Sequence, residues 1–222
     1  MDPVRAAFSA ECVRLTEVLA DLVDADLDRP TDCPPWTVRE LIAHIRTGVG
    51  RLADMLAASA PPRAEVDAAG YFSRAKFTPQ VDADRIAGGR RDALQVDRVT
   101  LAAEVERAWR ATEAAVAAAP PGRVVRTRHG DAMLLTEFLR TRVVEVGVHG
   151  LDLAAALGRS PWLTAPAAEV IADLLTGGHP TPVGLGWDRV TLIRKTTGRA
   201  ALTAPERAAL DAAGFRPLAF GR

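Results

Sequence analysis

The chain has 222 residues, enough for one large domain or a middle-sized domain with a small companion. Hydrophobic residues make up 48% and aromatics only 5%, so the core must be aliphatic, and the dominant Ala, Leu and Val favour helix over sheet. Lys plus Arg equal Asp plus Glu at 28 each, which removes the electrostatic reason to expect nucleic acid or an anionic membrane as partner.

No apolar run approaches the roughly 20 residues that span a bilayer. The N-terminal MDPVRAAFSAECVRL carries charges where a signal peptide needs an apolar stretch. A cytoplasmic location is therefore expected, with Cys12 and Cys33 reduced.

The elements follow in order. Phe8, Cys12, Leu15, Leu19 and Leu22 recur at 4-3-4-3 spacing and predict a first helix from about Pro3 to about Asp24. Pro30, Pro34 and Pro35 then interrupt helix formation. Thr37 and Glu40 form the T-x-x-E capping box that starts a second helix, with Leu41, Ile45, Val49 and Leu52 turned inward and an end near Ala58. Residues 59–99 read as a long excursion with at most short helices. A third helix is predicted over Thr100–Ala118, then a short extended piece, RVVRTRHGD. A fourth runs from about Leu134 to Leu157 and stops at Gly158. Four long helices with one long connection predict a four-helix bundle, mainly α, over residues 1–159. In residues 160–222 AAEVIADLLTGG reads as a helix, WDRVTLIRK alternates like a strand, and TAPERAALDAAG reads as a helix capped by Thr203; together they predict a small α/β C-terminal domain.

The fourth helix carries an anomaly. Its 4-3-4-3 seam reads Phe138, Arg142, Glu145, His149, Asp152, Ala156, so four consecutive seam positions are polar. The flanks are apolar, including Val144, Val146, Val148 and Leu151, and leave no broad solvated face. Glu145 and His149 lie one turn apart and can reach one ion. A buried carboxylate or imidazole without a partner costs several kcal/mol, and a metal removes that cost. Of the four histidines (His44, His129, His149, His179), only His44 sits inside another bundle helix, beside the Leu41/Ile45/Gly48 stripe. His44, Glu145 and His149 with one position open have the make-up of a catalytic zinc site.

These segments also carry a resemblance. TDCPPWTVRELIAH is similar to the cysteine–tryptophan–threonine–valine–arginine motif before the first metal histidine of mycothiol-dependent maleylpyruvate isomerase-like proteins. TRVVEVGVHGLDLAAALGR resembles their second metal motif, with Arg142, Glu145, His149, Asp152 and Gly158 in place, and TTGRAALTAPERAAL resembles the end of their C-terminal domain. One departure is Pro35, where the family usually has glycine before the tryptophan. The resemblance implies a DinB-like bundle followed by a small domain related to sterol carrier proteins. It also implies Zn2+, or another divalent metal, on His44, Glu145 and His149. The expected cosubstrate is mycothiol or a similar low-molecular-weight thiol, which loses its proton when coordinated and attacks a small electrophilic substrate. Addition followed by elimination gives an isomerase; retention of the sulfur gives a transferase.

Arg142 and Asp152 are candidate supporting groups, Asp152 as the carboxylate that orients a metal-bound imidazole. Arg199 is a candidate for holding a substrate carboxylate through its fork. Two other readings of the trio stay open: a hydrolase that activates water, and a non-catalytic protein that binds a thiol or metabolite.

Overall fold

The structure is a computed structural model and describes residues 2–94, 96–215 and 218. Helix α1 spans Pro3–Ala20 and is capped by Asp2, whose side chain accepts from the Val4 amide. Helix α2 spans Val38–Ala57. Its capping box forms as the spacing requires: the Thr37 hydroxyl accepts from the Glu40 amide, and Glu40 Oε2 accepts from the Thr37 amide at 2.9 Å.

The excursion is more ordered than its composition predicts. It holds a single turn, α3 (Ala68–Tyr71), and a 15-residue helix, α4 (Pro79–Ala93). Thr78 caps α4 and Pro79 occupies its first turn, a standard start. Gly88 and Gly89 disguise it, because glycine is the weakest helix former after proline. Tertiary contacts override that weakness. Thr47 donates to Asp92 Oδ2 at 2.6 Å, Arg46 donates to the Asp92 carbonyl at 3.2 Å, and Arg90 lies 3.4 Å from Glu40, so α4 is fastened along α2.

Helix α5 (Arg98–Ala118) follows, capped by Asp97. The extended piece becomes a hairpin of β1 (Val124–Arg126) and β2 (Ala132–Leu134), antiparallel, with Val125 opposite Met133. Helix α6 (Leu135–Leu157) leaves β2 directly and ends on Gly158, whose φ of 65° is the left-handed stop. Helices α1, α2, α5 and α6 form the bundle, α2 against α5 and α6, α1 against α5 and α6. Phe8, Leu15, Leu41, Ile45, Leu52, Leu101 and Phe138 are fully buried between them.

The C-terminal segment differs from the expectation at one stretch. It contains α7 (Ala165–Thr176), α8 (Arg189–Thr196) and α9 (Ala204–Ala212), and no strand among the described residues. The stretch read as a strand is α8. Asp188 caps it, accepting from the Thr191 amide at 2.7 Å, and its buried residues, Leu192, Ile193 and Thr196, fall on one helical face. Alternation over nine residues could not separate the two periods. Helix α7 packs on α1 and α6, and α8 packs on α7.

Candidate functional site

The site is assembled by α2 and α6. The capping box sets the phase of α2, and that phase turns His44 toward α6, where its Nε2 lies 3.4 Å from Glu145 Oε1. The other carboxylate oxygen of Glu145 is held by Arg142 Nη1 at 2.6 Å. Arg142 is buried; it also donates to the Gly48 carbonyl at 3.2 Å and to the Tyr71 hydroxyl at 3.4 Å, and lies over the Phe138 ring. Gly48 makes this approach possible. A Cβ there would fall on the Glu145 carboxylate, only 2.8 Å from Cδ.

One turn along α6, His149 Nδ1 bonds Asp152 Oδ2 at 3.0 Å, which leaves Nε2 for the interior. Asp152 is in turn gripped by Arg199, Nε to Oδ1 at 3.0 Å and Nη2 to Oδ2 at 2.8 Å. The Arg199 fork, expected to hold a substrate carboxylate, is therefore closed on a carboxylate of the protein itself.

Electrostatics prepare these groups as donors. Burial holds His44 well below the usual histidine range, so the ring is neutral. Burial pushes Glu145 up, but the Arg142 guanidinium outweighs it and keeps the carboxylate ionised. Asp152 is likewise depressed, by its bonds from His149 and Arg199 against the effect of burial. A neutral imidazole and an ionised carboxylate are what a divalent ion binds.

Among the described residues, the one set of three such side chains whose donor atoms all lie within 4.8 Å of one another is Cys33, His149 and Asp152, not the predicted trio. In that set the Asp152 carboxylate is already engaged. Both Asp152 oxygens already face a guanidinium, whereas Glu145 turns Oε1 toward His44 and away from Arg142. His44 and Glu145 face each other as a neutral imidazole and an ionised carboxylate, donor types that a divalent ion binds, and His149 stands one turn from Glu145 on the same helix.

A cavity of about 470 Å3 opens over these residues. His44, Gly48 and Arg51 enter it from one face of α2, Arg142, Glu145 and His149 from α6, and Tyr71, Phe72 and Phe77 from the excursion. Helix α4 supplies another wall through Asp84, Arg85, Gly88 and Asp92. The sequence reading missed five contributors. Trp36 lies against His44, with ring centroids 4.4 Å apart and planes tilted by 35°, and Arg85 lies over the Trp36 ring at 4.5 Å. Arg51 follows His44 by two turns, a spacing that could have revealed it. Arg128 and His129 sit at the turn between β1 and β2, which no local pattern places over the bundle. Burial, together with Arg128 and Arg142, lowers the Arg51 pKa, against the opposing pull of Glu145.

Residues 8–154 match the sequence model of the mycothiol maleylpyruvate isomerase N-terminal domain. The chain belongs to the mycothiol maleylpyruvate isomerase family. The matched span includes His44, Arg142, Glu145, His149 and Asp152 and stops short of Arg199. Two solved structures share the fold. One is a mycothiol-dependent maleylpyruvate isomerase, with a TM-score of 0.53, and the other a histidine-to-alanine mutant of that enzyme, with 0.55. Each is 16% identical, and the match covers 78% of this chain and 68% of the other. A search of curated proteins found no match. Among the described residues no helix is long and apolar enough to cross a membrane.

Proposed function

We propose that this member of the mycothiol maleylpyruvate isomerase family is a metal-dependent thiol transferase or isomerase. In this reading His44, Glu145 and His149 hold zinc or another divalent ion, and mycothiol or a similar thiol is the cosubstrate for attack on a small electrophile. The observation that carries it is the facing pair of His44 and Glu145, 3.4 Å apart, with His149 locked one turn away by Asp152. The ion, when bound, supplies the Lewis acidity that lets a thiol ionise near neutral pH.

The rest belongs to the chain. Asp152 fixes the tautomer and direction of His149, and Arg199 fixes Asp152. Arg142 keeps Glu145 ionised and aimed. Tyr71, Phe72 and Phe77 line the cavity with apolar surface, and the positive charges of Arg51 and Arg128 favour an acidic electrophile.

Metal analysis of purified protein tests the reading first: wild type should carry about one divalent ion per chain and His149→Ala far less. Titrating thiols into cobalt-substituted protein should then raise a sulfur-to-cobalt charge-transfer band. Equal metal content in the two proteins, or no band with any thiol, refutes it.

A further inference from the structure

Helix α4 has a gap that the protein itself does not need. Gly88 lies in the interior of the helix, where glycine is disfavoured. Its neighbour Gly89 has a steric reason, because a Cβ there would stand 3.3 Å from the Trp36 indole. At Gly88 the nearest atom a Cβ would meet is Arg91 Nη2, at 3.8 Å, the movable end of a long side chain. Gly88 lines the cavity, so the space it leaves is space for what the cavity binds.

The two walls of the cavity differ in charge. Asp84, Gly88 and Asp92 follow one another at four-residue steps and share a face of α4, with Arg85 and Arg91 beside them, so this wall has both signs and no net excess. The wall formed by Arg51 and Arg128 is positive, with His129 beside them held neutral by burial and by Arg128. Carboxylates and guanidinium groups around bare backbone suit an uncharged, hydroxyl-rich group. Its hydroxyls donate to Asp84 and Asp92, which have spare acceptor capacity, and a ring face can rest on the glycine. A positive wall suits an anion.

We propose that Gly88 sets the size limit for the thiol cosubstrate, whose hydroxyl-rich headgroup lies along α4 over the backbone between Asp84 and Asp92. The inference rests on the thiol-dependent reading above. It gives the α4 wall to the thiol and leaves the Arg51/Arg128 wall to the electrophile.

The test uses full-length, cobalt-loaded protein and two thiols, mycothiol with its polyol headgroup and N-acetylcysteine without one. The charge-transfer titration gives an affinity for each. In Gly88→Leu the ratio of mycothiol to N-acetylcysteine affinity should fall at least about tenfold, since an added group in a fitted pocket costs about 10- to 200-fold. Gly88→Ala should lower the ratio less and raise the melting temperature of the ligand-free protein, showing that the glycine does not serve the fold. A wild-type ratio in both variants overturns the proposal. So does a wild-type ratio accompanied by a higher KM for the electrophile, which would place the electrophile on α4. Absence of a band with either thiol in wild type defeats the thiol reading itself, whereas a band indifferent to position 88 defeats only this assignment.

Discussion

Replacing Gly48 by alanine sets two effects of opposite sign against each other. In a helix interior alanine is about 1 kcal/mol more favourable than glycine. At this position the new Cβ would stand 2.8 Å from Glu145 Cδ and 3.1 Å from Arg142 Nη1. Glu145 has nowhere to retreat without leaving Arg142 or turning from His44. Breaking one partner from a buried ion pair costs about 3–5 kcal/mol, so the net loss is about 2–4 kcal/mol. For a chain of this size each kcal/mol moves the melting temperature by about 2–4 °C, giving a fall of roughly 4–16 °C. Gly50 is the internal control. A Cβ there meets Ala108 Cβ at 3.4 Å, an ordinary contact, so Gly50→Ala should be neutral or gain up to about 1 kcal/mol. Calorimetric melting of both variants, with metal content measured on the same samples, decides the matter. If Gly48→Ala melts at or above wild type and keeps its metal, the packing argument for the site is wrong.

Three other perturbations have calculable signs. Asp152→Asn leaves the buried Arg199 without its counter-charge and loosens His149. Metal affinity by chelator competition should fall about 10- to 100-fold, and an unchanged value would deny Asp152 its orienting role. For the metal-free protein, the lowered pKa values of His44 and His129 mean that below their ordinary 6.5 the unfolded chain takes up protons the folded chain refuses. Stability therefore falls as pH drops through 6.5, and Glu145 and Asp152, both depressed, add further losses below 4.5 and 3.8. Urea midpoints at pH 7.5, 5.5 and 4 should decline in that order, less steeply from pH 7.5 to 5.5 in His44→Gln, and a flat wild-type series would contradict the assignment. Glu11 is buried with a raised pKa and accepts from the Thr164 amide and hydroxyl at 2.9 and 2.7 Å. Glu11→Gln keeps an acceptor and should be near neutral in urea denaturation at pH 7, while Glu11→Ala should cost about 1–3 kcal/mol. Equal losses in the two variants would show that the charge matters more than the hydrogen bonds.

The bundle was legible because its signals are local. The Thr37/Glu40 box starts α2 where the spacing puts it, and the polar seam of α6 is buried: Arg142 and Asp152 are 3% and 1% exposed. Helix α4 was not legible, since its apolar pattern is thin, with only Gly89 and Ala93 buried, and its stability comes from Thr47, Arg46 and Glu40 on another helix. Helix α8 was misread because its β-branched residues carry a strand propensity that its Asp188 cap and packing on α7 overrule. The partners of the site residues were legible only in part. The step of three from His149 to Asp152 can be seen on a helix; the span of 47 residues from Asp152 to Arg199 cannot.

That long span argues that the C-terminal segment completes the bundle and is not merely attached to it. Arg199 reaches back to Asp152, and Glu11 of α1 caps the start of α7 through Thr164. Gly147 of α6 lies so close beneath the segment that a Cβ there would stand 2.7 Å from Ile171 Cδ1 and 2.9 Å from Leu163 Cδ1. A truncated chain of residues 1–159 would keep His44, Glu145 and His149 yet lose all three contacts. Asp152 would hold a buried charge without its counter-ion, Glu11 would lose its donors, and the faces of α1 and α6 beneath Ala167, Ile171 and Leu175 would meet water. One broken buried pair alone costs about 3–5 kcal/mol, much of the 5–15 kcal/mol that a domain possesses. The truncated protein should therefore melt far below the full chain and bind metal more weakly. A truncation that melts with the full chain and competes equally for metal would show that Arg199 is an ornament of the site, not one of its supports.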